Sequence, residues 1–377
     1  MILSDVCEFI VDCPHSTAPD EGEGYPLIRT PNVGKGRLDL NGVHRVGESV
    51  YKQRIQRGAP RANDLIFARE APAGNVALVQ ENQTVCLGQR TVLIRPNVQK
   101  VNPQYLVYYL LSPKPQYELL GTANGATVAH VNLPAIRNLK IELPEKSVQD
   151  KIGTILVTYD DLIENNQKQI KLLEEAAQRL YKEWFVDLNF PGHENTEIVD
   201  GVPEGWIKEE IGKIIKKVHR TKQIVASEYR NEGSIPIVDQ SRAFVAGYTN
   251  DLEARVDFGI PIIVFGDHTR IVKLIQFPFA KGADGTQLII SECLEMPQRL
   301  LYCSIMNVDL SNYHYARHFK YLKEEKIMIP TVKVANEFEN NVTGIFSKIQ
   351  NCRDEIIRCQ KTRNLQLPKL MSGEVEV

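Results

Sequence analysis

Lys140-Ile141-Glu142-Leu143-Pro144 and Lys326-Ile327-Met328-Ile329-Pro330 are two versions of one pattern, set 186 residues apart. Each opens a stretch of about 40 residues without a further proline, until Pro191 in the first copy and Pro368 in the second. A chain that repeats itself over such a span folds as copies of one plan, and this sets the frame for every other reading. Each copy predicts a mixed region of some 140 residues, a short strand closed by proline, and then a long helix.

The helices carry the clearest periodicity. Ile152, Leu156, Tyr159, Ile163, Asn166, Ile170, Leu173, Ala177, Leu180 and Trp184 step by four and three. Adding 186 gives Phe338, Val342, Ile345, Ile349, Cys352, Ile356, Cys359, Arg363, Gln366 and Leu370. A mostly apolar stripe repeating every 3.5 residues is a coiled-coil seam. Two matched seams in one chain are expected to pair with each other rather than only with their own globular regions. Each mixed region precedes its helix, so antiparallel pairing and a pseudo-two-fold plan are predicted. Asn166 is placed to set the register. Glu164, Lys168, Lys171, Glu174, Glu175, Arg179, Lys182 and Glu183 mix both signs beside the seam, as a solvated or partner-facing surface does.

The regions before the helices are strand-rich. Leu65-Ile66-Phe67, Val76-Ala77-Leu78-Val79 and Thr91-Val92-Leu93-Ile94 are short apolar runs bounded by Gly, Asn and Pro. Ile235 to Val238, Pro261 to Phe265 and Gln287 to Ile290 read likewise in the second region, and Leu106 to Leu111 reads as a short helix. Pro191-Gly192 and Gly201 to Trp206 mark a linker. The predicted class is α+β. The predicted divisions are a first globular domain 1–145, a helix 146–187, a linker 188–206, a second globular domain 207–331 and a helix 332–377.

Composition narrows the function. With 43% hydrophobic and 24% charged residues, wholesale disorder is excluded. No apolar run approaches the ~20 residues of a membrane span, and Met1 to Asp20 does not read as a secretory signal. The seven cysteines, scattered and never spaced Cys-x-x-Cys, fit reduced thiols in a cytoplasmic protein. The net charge of −2 gives no global basic signature, but 45 Lys and Arg residues can still be sorted onto one face.

Motifs for catalysis are missing. There is no Gly-x4-Gly-Lys-Ser/Thr phosphate loop, no glycine-rich nucleotide loop after a strand, and no His-x3-His pairing with a carboxylate that would suggest zinc. Asn102-Pro103-Gln104-Tyr105 is one proline short of an adenine methyltransferase loop and sits where an N-cap and a first-turn proline belong. Asp267-His268 follows an apolar strand, where a loop receives polar side chains.

Taken together, these segments resemble a known family. Leu143-Pro144 through Trp184-Phe185-Val186-Asp187 is similar to the central region of the specificity subunit of type I restriction–modification systems. Val202-Pro203-Glu204-Gly205-Trp206 resembles that family's entry into its second target-recognition domain, and Leu367-Pro368-Lys369-Leu370-Met371-Ser372-Gly373-Glu374 resembles its C-terminal signature. Gly88-Gln89-Arg90, Phe265 to Arg270 and Gly282 to Thr286 also look familial. The resemblance covers essentially the whole chain. It implies a non-catalytic subunit with two target-recognition domains, each reading one half of a split double-stranded DNA sequence. The paired helices would act as spacer and as dock for two methylation subunits, through which restriction/translocase subunits join. S-adenosylmethionine, ATP and Mg would belong to those partners and none to this chain.

Base edges in the major groove favour Arg or Lys for guanine and Asn or Gln for adenine. The DNA-contact candidates are Arg29, Lys35, Arg37, Arg45, Arg54, Arg69, Asn124 and Thr127 in the first domain. In the second they are Arg220, Lys222, Gln240, Arg242, His268, Arg270 and Lys281. The competing reading is a coiled-coil scaffold that binds only proteins; a basic face on the globular regions separates the two.

Overall fold

The computed structural model describes residues 1–121, 130–218, 221–313 and 317–377. These residues form two compact units: unit 1 comprises 1–166 with 354–377, and unit 2 comprises 167–353.

Unit 1 contains strands β1 (Cys7–Asp12), β2 (Gly36–Arg37), β3 (Leu65–Ala68), β4 (Val76–Leu78) and β5 (Thr91–Pro96). They form one sheet in the order β1-β5-β3-β4-β2. Strands β3 and β4 are buried at every position, which is why they read as continuous apolar runs rather than alternating ones. Helix α1 (Pro103–Leu111) follows. Its first turn explains Asn102-Pro103-Gln104-Tyr105: Asn102 Oδ1 accepts from the Tyr105 N–H at 3.0 Å, and Tyr105 is buried. That is a capping role.

Helix α2 (Lys146–Tyr181) begins in unit 1, continues into unit 2, and closes with a π turn over Lys182–Val186. Its start is tied to α1, because Gln149 Oε1 accepts from the Asn102 N–H at 3.0 Å while Gln149 Nε2 donates to Pro144 O at 2.8 Å.

Within unit 2, after the end of α2, lies β6 (Ile207–Glu210). Strands β7 (Ile262–Gly266), β8 (Val272–Ile275) and β9 (Thr286–Ile289) form a sheet in the order β8-β7-β9. Helix α3 (Gln298–Met306), strand β10 (Lys326–Ile329) and helix α4 (Val332–Ser372) complete the framework. Pro368 does not end α4, which runs to Ser372 before Gly373 turns left-handed at φ +75°. Near a helix end a proline forfeits only one hydrogen bond of the last turns.

The repeated segment differs between its copies. In unit 2, β10 pairs antiparallel with β6 over four residues, Glu210 facing Lys326. In unit 1 the pairing shrinks to a bridge between Ile2 and Lys140, although a full strand was expected. The Glu142 N–H donates instead to the Tyr109 hydroxyl at 3.1 Å, which draws the backbone away from the ladder.

The two long helices run antiparallel within each unit. In unit 1, Lys151 Nζ donates to Val377 O, Asp160 pairs with Arg363, and Leu370 packs in the core that holds Ile152 and Leu156. In unit 2, Cys352 Sγ meets Gln169, Arg353 pairs with Glu174 at 2.8 Å, and Phe338 packs edge-on to Tyr181 and Trp184. Every position of both seams is buried or half-buried. Asn166 is buried, but its amide donates to Leu162 O of its own helix at 2.9 Å. Charged pairs that do cross between the helices include Asp160–Arg363 and Glu174–Arg353.

The stretch expected as a linker is ordered. Ile198–Val199 pairs with Val202–Pro203, and Phe190 and Trp206 are buried with ring centroids 4.6 Å apart. Phe185, 5.5 Å from the Trp206 ring, joins both to the core of unit 2. The Trp184-Phe185 and Gly205-Trp206 motifs therefore meet as packing residues.

Candidate nucleic-acid interface

The two units carry the same loop scaffold, which emerges from backbone contacts rather than from sequence. In unit 1 the strand Tyr25–Ile28 lies parallel to Cys86–Leu87; in unit 2 Ile235–Val238 lies parallel to Phe279–Lys281. The next N–H then crosses back: Gly88 donates to Ile28 O and Gly282 to Val238 O, each at 2.8 Å. A threonine closes each turn, Thr91 Oγ1 donating to Gly88 O at 2.9 Å and Thr286 Oγ1 to Ala283 O at 3.0 Å. The residue before it is left-handed in both, Arg90 at φ +64° and Gly285 at φ +83°. Its carbonyl accepts from Arg69 N at 2.9 Å in one unit and from Asp267 N at 2.7 Å in the other. Finally, Arg69 O accepts from Val131 N, and Asp267 O from His318 N, each at 2.9 Å.

Two glycines make this possible. A Cβ at Gly88 would stand 2.8 Å from Arg29 Cγ, and one at Gly282 would stand 2.6 Å from Asp239 Cβ. Both contacts are closer than any side chain tolerates. Matching scaffolds therefore place Arg29 opposite Asp239, Arg69 opposite Asp267 and Arg90 opposite Gly285 in the respective units. The backbone is shared and the side chains are not.

In unit 1 these loops hold an alternating charge chain. Arg90 pairs with Glu70 at 2.6 Å, Glu70 with His130 Nδ1 at 2.6 Å, and Arg69 with Asp12 at 2.6 Å. Arg69 Nη2 lies 2.8 Å from His130 Nε2. An arginine only donates, so Nε2 accepts and the imidazole proton sits on Nδ1, facing Glu70.

In unit 2 Gln240 is the organiser. Its Nε2 donates to Asp284 O at 2.8 Å, its Oε1 accepts from His268 N at 3.1 Å, and its backbone O accepts from Thr269 Oγ1 at 2.7 Å. Three loops are thereby locked together, with the His268 side chain exposed above them. Lys273, almost fully buried, donates from Nζ to Asp239 O at 2.8 Å and to Ala243 O. Burial lowers its ammonium to about 8, against the raising effect of Asp239.

The folded value lies below the unfolded one, so the penalty on the charged form is fully present below about pH 8. It fades as the pH climbs toward the ordinary lysine value. Between pH ~7 and ~10 the protein should gain about 2 kcal/mol relative to Lys273→Met. Urea unfolding followed by Trp184 and Trp206, both in unit 2, reads this; an unchanged difference would remove Lys273 as a buried charge.

Of the other candidates, Arg54 and Arg69 are buried and bind the protein itself: Arg54 donates to Pro14 O and Ser16 O, Arg69 to Val131 O and Asp12. Arg37 pairs with Asp161, and Arg45 donates to Gly24 O at 2.6 Å. Lys222 is held by Asp251 at 2.7 Å and Glu253 at 3.0 Å, and Arg270 donates to Leu310 O at 2.9 Å. Arg29 is half-buried, whereas Lys35 and Arg242 are exposed. Lys281 lines a groove of unit 2. Asn124, Thr127 and Arg220 lie outside the described residues. Glu70 and His130 were not anticipated; the Gly-x-x-Thr of Gly88 to Thr91, echoed with one extra residue from Gly282 to Thr286, was the available signal. Among the described residues no cluster of His, Cys, Asp and Glu could hold a metal ion, and no helix is long and apolar enough to cross a membrane.

Known proteins fit this picture. A family model for the type I restriction modification DNA specificity domain matches residues 1–175. The type I restriction enzyme MjaIX specificity subunit of Methanocaldococcus jannaschii is 29% identical over 365 residues, covering 89% of this chain and 83% of the relative. The putative MjaX specificity subunit of the same organism is 27% identical over 257 residues, 66% of this chain and 60% of the relative. The fold is similar to the crystal structure of a type I restriction–modification S subunit from M. genitalium, with a TM-score of 0.58, 16% identity, and coverage of 98% of this chain and 95% of that one. Residues 1–175 are thus similar to a type I restriction modification DNA specificity domain, and most of the chain is similar to type I restriction enzyme specificity subunits.

Proposed function

We propose that each unit reads one half of a split DNA sequence, and that helices α2 and α4 together set the spacing between the halves. The observation that carries this is the loop scaffold built twice with different side chains. One backbone frame with Arg29, Arg69 and Arg90 in unit 1 and Asp239, Asp267 and Gly285 in unit 2 suits two sites that differ in sequence. Base identity is read by side chains, while backbone contacts to DNA position the reader.

The chain supplies specificity and no chemistry. The mixed-sign outer faces of α2 and α4 suit docking of methylation subunits, which would bring S-adenosylmethionine, with restriction/translocase subunits joining through them. The scaffold-only reading is disfavoured by an uncompensated lysine groove in unit 2.

Mapping methylated adenines in a host that expresses the chain with its methylation partner tests the proposal. The wild type should mark one split sequence. Exchanging residues 1–145 for those of a relative with another target should change one half and leave the other half and the spacing intact. A change in both halves, or in neither, would overturn the division of reading between the units.

A further inference from the structure

Unit 2 holds a groove of about 750 Å³ beside the reading loops. Lys216 and Lys217 line it from the segment after β6, Lys281 from the strand that leads into Gly282, and Lys323 from the helix His318–Glu324. Thr221, Gln223 and Gln287 add neutral polar groups, and Phe319 adds a ring with Lys323 Nζ 5.4 Å from its centroid. Among the described residues no carboxylate lines the groove.

That composition is unusual for this chain. Elsewhere its lysines and arginines are widely paired: Lys222 with two carboxylates, Arg299 with Glu339, Arg353 with Glu174. None of the four groove lysines makes an ion pair among the described residues. Lys281 is half-buried, and burial lowers its pKa although the nearby Asp284 acts to raise it. Four like charges gathered around one concavity repel one another, and the arrangement is relieved when an anion enters. Phosphates held by lysine ammoniums and neutral donors are such an anion, and they carry no base identity.

We propose that this groove seats the DNA backbone, its lysines holding phosphates while the adjoining loops of Gln240, His268 and Asp284 face the bases. This rests on the reading of the chain as a DNA-specificity subunit and goes beyond it by separating a positioning surface from a reading surface. Lys281 bridges the two, since the chain passes from it directly into the Gly282 turn.

The test uses the full chain assembled with its methylation partner, and two duplexes, one carrying the mapped site and one lacking it. The variant is Lys216→Gln/Lys217→Gln/Lys323→Gln, all three at exposed positions. The slope of log affinity against log salt should fall by roughly two to three, at ~0.9 per phosphate contact. Affinity should fall in the same proportion for both duplexes, and the methylated sequence should not change. Lys→Arg at the same three positions should restore the slope.

An unchanged slope, a loss confined to the cognate duplex, or an altered methylated sequence would each overturn the groove's assignment to phosphates. Failure of the variant chain to co-purify with its partner would reassign the groove to a protein interface. If the wild-type assembly neither binds DNA nor marks a split site, the underlying reading itself falls, and that result is distinct from any behaviour of the lysine variant.

Discussion

Substituting Arg363 by alanine is expected to destabilise unit 1 by about 3 kcal/mol, toward the low end of what breaking a buried ion pair costs. Asp160, on α2, is 2% exposed, and Arg363, on α4, is bonded to its Oδ1. Its Oδ2 accepts the Tyr108 hydroxyl at 2.5 Å. Burial first, and then the neighbouring carboxylate, push the Tyr108 hydroxyl's pKa up, so it stays a donor across the working pH range. Removing Arg363 leaves a carboxylate in the interior with one neutral donor. Arg37, paired with the adjacent Asp161, supplies distant compensation and sets the expectation at the low end. The double variant Asp160→Asn/Arg363→Met keeps the Tyr108 hydrogen bond and removes both charges. It should lose far less than the single variant, because a buried pair is worth little net beyond its mutual satisfaction. Hydrogen exchange of the β3 and β5 amides, which are buried in unit 1, is the measurement. Equal losses in the single and double variants would show that Arg363 acts by packing alone.

That pair also shows where sequence reading stops. Arg363 falls on a seam position, and periodicity alone marks it as a flaw in an apolar stripe. The structure supplies the missing half, a carboxylate one position after Tyr159 on the other helix. The helices themselves were legible because a period of 3.5 survives over ten positions in each copy, and no turn or loop intervenes. The strands β3, β4, β5, β7 and β9 were legible as apolar runs between breakers. The matched loops were not. Their equivalence rests on backbone hydrogen bonds joining three segments, and the intervening loops differ in length, so no constant offset relates Arg69 to Asp267 and Arg90 to Gly285. Charge counting likewise could not tell Lys35, which is exposed, from Arg54, which is buried and donates to Pro14 O and Ser16 O. The lysine groove draws Lys216, Lys281 and Lys323 from distant parts of the chain, and only tertiary structure gathers them.

A matched insertion should lengthen the DNA spacer. Four residues added between Asn166 and Gln167, and four between Arg353 and Asp354, fall at the points where α2 and α4 pass from one unit to the other. Each unit keeps its own antiparallel helix pair, including Asp160–Arg363 in unit 1 and Glu174–Arg353 in unit 2, because neither pair is crossed by the insertion. Four residues add ~6 Å of helix and about one turn, so the seam keeps its phase to within some 40°. DNA rises ~3.4 Å per base pair, so the preferred spacer should grow by one or two base pairs. Both half-sequences should stay the same, since the loops of Arg29 to Arg90 and of Asp239 to Gly285 are untouched. A matched two-residue insertion instead rotates each helix by ~200° and turns charged faces such as Lys168 and Lys171 toward the apolar stripe. It should abolish methylation rather than shift it. Adenine methylation mapped across the host genome for both variants is the measurement. An unchanged spacer in the four-residue variant would mean that the spacing is set elsewhere than in the helices, and altered half-sequences would mean that reading and spacing are not separable.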